Sequence, residues 1–152
     1  MASRGTKWVM FIGEYHHTVD EKGRLAMPSK FRATLAAGVV VTRGLDRSLF
    51  VYPQAEWGVL AAKLAALPLG QADTRAFARL MLAGAMEVEL DKSGRVHVPE
   101  YLRSYAGLVK NVVIAGLYTR LEIWDENAWK TYATQTEEQG NAIAERLGGL
   151  GI

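Results

Sequence analysis

Two five-residue frames of the type Asp-x-x-x-Arg, Asp20 to Arg24 and Asp91 to Arg95, concentrate the chemistry of this 152-residue chain. In each, glycine stands immediately before the arginine, at Gly23 and Gly94. A three-residue hairpin loop commonly places its last residue in the left-handed region, where glycine sits without steric cost. The residues flanking such a loop face each other, so a carboxylate and a guanidinium there can pair and fix its shape. A loop-tip arginine can also reach phosphate oxygens, or guanine O6 and N7 bidentately. Lys22, at the first tip, adds a flexible cation suited to phosphate. The second loop has Lys92 one place earlier and Ser93 where the first has Lys22. Clasp and nucleic-acid reader are both open readings of these residues.

The frames belong to a longer internal repeat. Asp20, Gly23, Arg24, Pro28 and Arg32 coincide with Asp91, Gly94, Arg95, Pro99 and Arg103 at an offset of 71. Further on, Val40-Val41-Thr42-Arg43-Gly44-Leu45 matches Val112-Val113-Ile114-Ala115-Gly116-Leu117 at an offset of 72, and Trp57 falls on Trp129. An ordered series at a near-constant offset makes the chain two copies of one unit of about 70 residues, a duplicated domain and not a solenoid.

Each copy needs the same elements to position its frame. Alternation predicts half-buried strands over 15–19 and 86–90, with second strands over 24–27 and 95–98. Pro28 and Pro99 fit the first turn of short helices over 29–35 and 100–105. Strand pairs are expected at 39–42 with 48–52, and at 111–115 with 120–124. Trp57, Leu60, Leu64 and Leu67 recur at helical spacing. Asp125 is a natural N-cap for a helix carrying Trp129 and Tyr132. A further amphipathic helix over 72–85 should set Phe77, Leu80 and Met81 against the core or a subunit seam. The tail after Gln139 turns polar and then glycine-rich, which predicts fraying.

Composition narrows the class. The chain has 49% hydrophobic residues, no cysteine and net charge +2, with a mean hydropathy of −0.01. That is globular composition without disulfides, thiolate zinc sites or cysteine nucleophiles. The longest uncharged run, 33–42, is far shorter than the ~18 apolar residues of a membrane helix, so a soluble cytoplasmic protein without a membrane partner is expected. The first half, 1–75, carries ten Lys/Arg against six Asp/Glu, and the second carries eight against ten. A basic half beside an acidic half suits a polyanion-binding face or contacts between subunits.

Competing sites are weaker. Neighbouring strand residues such as His16 and His17 point to opposite faces and lack a third ligand, so no metal is expected. Tyr52, Trp57, Trp124 and Trp129 occupy equivalent repeat positions, which marks core packing. Lys30 and Arg32, on the short helix after the frame, are candidate phosphate contacts, with a solvated helix face as the plainer expectation. No phosphate-cradling loop, nucleophile elbow or acid–base pair occurs, so neither catalysis nor a cofactor is expected.

Met10-Phe11-Ile12-Gly13-Glu14-Tyr15, leading into Asp20-Glu21-Lys22-Gly23-Arg24-Leu25-Ala26-Met27-Pro28-Ser29-Lys30-Phe31-Arg32, with the second frame one unit later, resembles the MraZ family over nearly the whole chain. The resemblance implies an α+β fold of two tandem swapped-hairpin units of the SpoVT/AbrB type (double-split β-barrel) with flanking helices. The chain then divides into a first repeat at 10–70, a connecting helix at 71–86, a second repeat at 87–140 and a flexible tail at 141–152, with residues 1–9 an extension outside the family's pattern. The resemblance further implies a nucleoid-associated repressor of the bacterial division and cell-wall gene cluster, binding short direct repeats in promoter DNA as a ring homo-oligomer. Carried onto this chain, the DNA contacts fall on Lys22, Arg24, Lys92 and Arg95, with Asp20, Gly23, Asp91 and Gly94 shaping the loops. The alternative is a ring-forming protein-interaction scaffold in which the Asp-x-x-x-Arg pairs are clasps only.

Overall fold

Half-buried strands and continuous apolar runs such as Val39-Val40-Val41 make the sheet, and the strands exchange partners between the two copies. The structure, a computed structural model, describes residues 10–151; the extension expected at 1–9 lies outside the described residues. In the first copy, β1 (Phe11–Thr18) leads through the first frame into β2 (Arg24–Ala26). A 3-10 turn (Ser29–Phe31) runs into the short helix α1 (Arg32–Leu35), followed by β3 (Val39–Arg43), β4 (Leu49–Pro53) and α2 (Gln54–Ala65). The linking helix α3 (Ala72–Ala78) finishes in a π turn at Arg79–Ala83. The second copy comprises β5 (Met86–Val88), β6 (Arg95–His97), α4 (Glu100–Ala106), β7 (Asn111–Tyr118), β8 (Arg120–Asp125) and α5 (Glu126–Glu138). Helix α6 (Gly140–Arg146) and a 3-10 turn (Gly148–Leu150) follow.

Six strands form one antiparallel sheet in the order β1-β7-β8-β4-β3-β5, and β2 pairs with β6 in a separate ribbon. β1 therefore lies on the second copy's β7, from Phe11 opposite Tyr118 to Thr18 opposite Asn111. β5 lies on the first copy's β3, with Val39 opposite Val88 and Val41 opposite Met86. Between β1 and β2 a single bridge remains, Val19 with Leu25. The order reads the same from either edge once copies are exchanged, so the molecule has a pseudo-twofold axis. That axis passes between β4 and β8 at Phe50 opposite Glu122, and through the ribbon at Leu25 opposite Val96. The fold is thus α+β, two tandem swapped units with flanking helices.

Strand alternation divides the packing into two layers. Leu49, Val51, Leu121 and Ile123 turn inward to a core that also takes Leu25, Phe31, Val96 and Leu102. Phe50 and Tyr52 turn to the other face, where Leu64 and Met81 cover them with Trp57, Leu60 and Leu67 packed alongside. The helical stripe of α2 thus does what its spacing predicts. In the second copy the Trp124 and Trp129 rings lie 5.3 Å apart, and the Asp125 carboxylate caps α5 by accepting from the Ala128 N–H at 3.1 Å. Buried Glu122 accepts from Arg120 and from the Trp124 indole. Among the described residues no helix is long and apolar enough to cross a membrane.

Several boundaries differ from the sequence expectations. The strand expected at 86–90 stops at Val88, and β7 runs on to Tyr118 because eight residues of β1 pair along it. The linking helix occupies 72–83, with Met86 taken into β5. Met81 is buried, whereas Phe77 remains exposed. The tail beyond Gln139 is helical. Ala142, Ala144, Glu145 and Arg146 are good helix formers and continue as α6, which buries nothing.

Candidate nucleic-acid interface

Each Asp-x-x-x-Arg frame closes as a three-residue loop. The Gly23 N–H donates to the Asp20 carbonyl at 3.0 Å, and the Asp20 N–H donates to the Arg24 carbonyl at 3.0 Å. The second loop repeats this with Gly94, Asp91 and Arg95 at 3.0 and 2.9 Å. Gly23 (φ +85°) and Gly94 (φ +77°) are left-handed, as the loop type requires. Asp20 Oδ1 accepts from the backbone N–H groups of Lys22 and Arg24, both at 2.9 Å, while Oδ2 accepts from Arg24 Nε at 2.7 Å. Asp91 does the same with Ser93, Arg95 and Arg95 Nε, all at 2.9 Å. Both clasps bind their arginine through Nε. Among the described residues the terminal guanidinium nitrogens of Arg24 and Arg95 hold no protein hydrogen bond. Clasp and reader are therefore compatible, since the carboxylate aims the side chain and leaves the bidentate end available.

The backbone N–H of Arg24 is the largest influence holding the Asp20 carboxyl below its ordinary value; desolvation opposes it, and the Arg24 guanidinium and the Lys22 N–H add to it. Asp91 is lowered in the same way through Arg95 and Ser93. A carboxyl whose pKa falls on folding stabilises the folded loop fully above its unfolded-state value, and that contribution fades as pH drops through the folded-state value. The expected result is a clasp intact at neutral pH that opens only below the ordinary aspartate value of 3.8. Carboxyl-carbon NMR titration checks this: the Asp20 and Asp91 midpoints should lie below that of an unstructured peptide carrying the same frame.

The strand exchange brings the two frames onto one surface. In the β2–β6 ribbon Arg24 stands opposite His97, Leu25 opposite Val96 and Ala26 opposite Arg95. Leu25 and Val96 are fully buried beneath it. Directly opposed residues share a face and strand neighbours alternate, so Arg24, His97, Ala26 and Arg95 form the outer face. The loops sit at opposite ends of this ribbon, with Lys22 and Lys92 exposed at their tips. Each loop is locked to the other copy: the Val98 N–H donates to the Gly23 carbonyl at 2.8 Å, and the Met27 N–H to the Gly94 carbonyl at 2.9 Å.

Arg32 and Arg103 brace these junctions. Arg32 Nε donates to the Met27 carbonyl at 3.0 Å, and Arg103 Nε to the Val98 carbonyl at 2.9 Å. A side chain on Gly94 would strike Arg32, and one on Gly23 would strike Arg103 and the Val98 carbonyl. Arg32 is therefore half-buried and engaged, and does not form the solvated helix face expected of it. Lys30 is exposed, its ammonium 5.9 Å from the Tyr15 ring centroid and 5.7 Å from that of Phe31. His16 Nδ1 lies 3.3 Å from Glu126 Oε2. Burial and, after it, the Arg32 charge lower the pKa of His17. Sequence reasoning missed His97 and the brace. The 71-residue offset held the signal for both, setting His97 against Ala26 and Arg103 against Arg32.

A family model described as "MraZ protein, putative antitoxin-like" matches residues 10–80 and again 81–149. Among curated relatives, a protein of Acetivibrio thermocellus is 50% identical over 143 residues, 94% of this chain and 100% of its own length. One of Moorella thermoacetica is 49% identical over 138 residues, 91% of this chain and 96% of its own. One of Natranaerobius thermophilus is 50% identical with the same coverages of 91% and 96%. Each is named Transcriptional regulator MraZ.

Proposed function

The chain belongs to the MraZ family, and on that premise we propose that it is a DNA-binding transcriptional regulator whose ribbon face reads the duplex. The observation that carries this reading is the convergence of both frames on one exposed face. A two-stranded ribbon fits the major groove, and Arg24 and Arg95 offer it two guanidinium ends. Lys22 and Lys92 bind phosphate from the loop tips, with Lys30 as a further phosphate contact. Asp20, Gly23, Asp91 and Gly94 shape the loops, and Arg32 belongs to the brace. The role is regulatory, not catalytic. In its finer form the proposal is a nucleoid-associated repressor of the division and cell-wall gene cluster, bound to short direct repeats as a ring. The repeats at 10–70 and 87–140 act as one folded body, because neither completes its strands alone. The free guanidinium ends favour this reading over a protein-interaction ring in which the clasps are structural only.

The test is a salt series of binding to the duplex upstream of the chain's own gene, against a scrambled duplex of equal composition. Specific binding with a steep salt slope is expected, because each phosphate contact adds about −0.9 to that slope. A subunit of net charge +2 supplies few such contacts, so affinity must come from several linked ribbons acting together. Light scattering coupled to size exclusion should accordingly give a mass above that of a dimer of 16.7 kDa subunits. A monomer that binds a single repeat tightly would sink both the ring and the avidity argument.

A further inference from the structure

We propose that His97 is a base-reading residue which gives the two-frame surface a direction. The inference rests on the DNA-binding reading above and adds a specificity determinant to it. The pseudo-twofold axis at Leu25 and Val96 maps Arg24 onto Arg95, and it maps Ala26 onto His97. The arginine ends are thus equivalent, while the residue opposite each arginine is not. Arg24 faces an imidazole and Arg95 faces a methyl group.

The imidazole is placed to be used. His97 is exposed, and among the described residues its imidazole has no hydrogen bond, ion pair or ring contact. Its strand neighbours Val96 and Val98 are fully buried, so the backbone that carries it is anchored on both sides. Opposed side chains in an antiparallel pair stand about 5 Å apart, between one and two steps of the 3.4 Å spacing along a DNA strand. A duplex that meets the Arg24 guanidinium is therefore within reach of His97 one or two base pairs away. One ring nitrogen donates and the other accepts, which suits the major-groove edge of a purine, where N7 accepts and the 6-position accepts in guanine or donates in adenine. At the other end, Ala26 offers contact only to an apolar edge such as the thymine methyl. The loop tips add to the asymmetry, with Lys22 in one and Lys92 and Ser93 in the other.

Selection from a pool of duplexes with a randomised central segment, run in parallel on wild type, His97→Ala and the double variant Ala26→His/His97→Ala, tests the proposal. Circular dichroism on each variant verifies the fold. Wild type should enrich a motif. His97→Ala should keep the arginine-specified bases, lose preference at one flanking base pair and bind the enriched duplex roughly 3- to 10-fold more weakly, as fits loss of one hydrogen-bonding group. The double variant should move that preference to the opposite flank. An unchanged motif and affinity for His97→Ala would overturn the role of His97 and leave the DNA-binding reading standing. Enrichment of nothing by wild type would overturn both.

Discussion

Arg24→Ala is expected to abolish the proposed specific DNA binding while leaving the fold, and any oligomer the wild type forms, intact. A good bidentate base contact is worth about 1–3 kcal/mol of discrimination, and in an assembly that loss recurs at every engaged ribbon. On the stability side, Arg24 gives up one Nε bond to an exposed carboxylate, a solvent-screened pair that contributes little to the fold. The Asp20 carboxylate keeps its two backbone donors, so the loop retains its shape. Gel shift and size exclusion on the same preparation separate the two effects. Survival of wild-type affinity would reduce Arg24 to the clasp partner of Asp20.

Gly23→Val should be the most destabilising single change in the first loop. A β-branched residue at φ +85° is strained, and its Cβ would sit 2.6 Å from the Val98 carbonyl oxygen. That oxygen is backbone and already accepts from Arg103, so it cannot yield without opening the junction between copies. Left-handed strain and overpacking together cost about 2–5 kcal/mol, enough to lower Tm by roughly 5–20 °C in a chain of this size. Lys22→Ala, on an exposed tip, should stay within about 0.5 kcal/mol of wild type. Gly94→Ala should cost less than Gly23→Ala, because its Cβ meets the Arg32 side chain, which can swing away at the expense of its bond to Met27. Parallel thermal melts give the answer, and equal melting points for Gly23→Val and Lys22→Ala would refute the loop assignment.

What could be read from the chain beforehand was whatever is encoded locally. Glycine before arginine signalled the left-handed loop, since a backbone requirement of one residue shows in that residue. Asp125 at the start of α5 and the stripe of α2 were equally local. Partner choice was not, because alternation announces a strand without saying which strand it will meet. Only the family resemblance pointed to the exchange. For the same reason the sequence alone ends β7 at 115: residues 116–118 are strand because β1 lies beside them. Arg32 reads from sequence as a surface cation, because the glycine it packs against lies about 60 residues away. Helix α6 is hard to see in the sequence because glycines stand at its start and just past its end.

The pairing of β1 with β7 also governs how the chain is born. Phe11 meets Tyr118, more than a hundred residues downstream, and at synthesis rates of about 5–20 residues per second that partner arrives several seconds late. Throughout that interval the nascent first half has β3 and β4 but not the two strands that will cover β1 and β4 on their open sides. Distant pairing slows folding and prolongs exposure of unpaired edges. Two chains growing side by side on one message could satisfy those edges from each other, producing intertwined dimers of whole chains with every ladder intact. The risk of such entanglement rises with ribosome density and not with thermodynamic stability, so translation pace belongs among the conditions under which this fold succeeds.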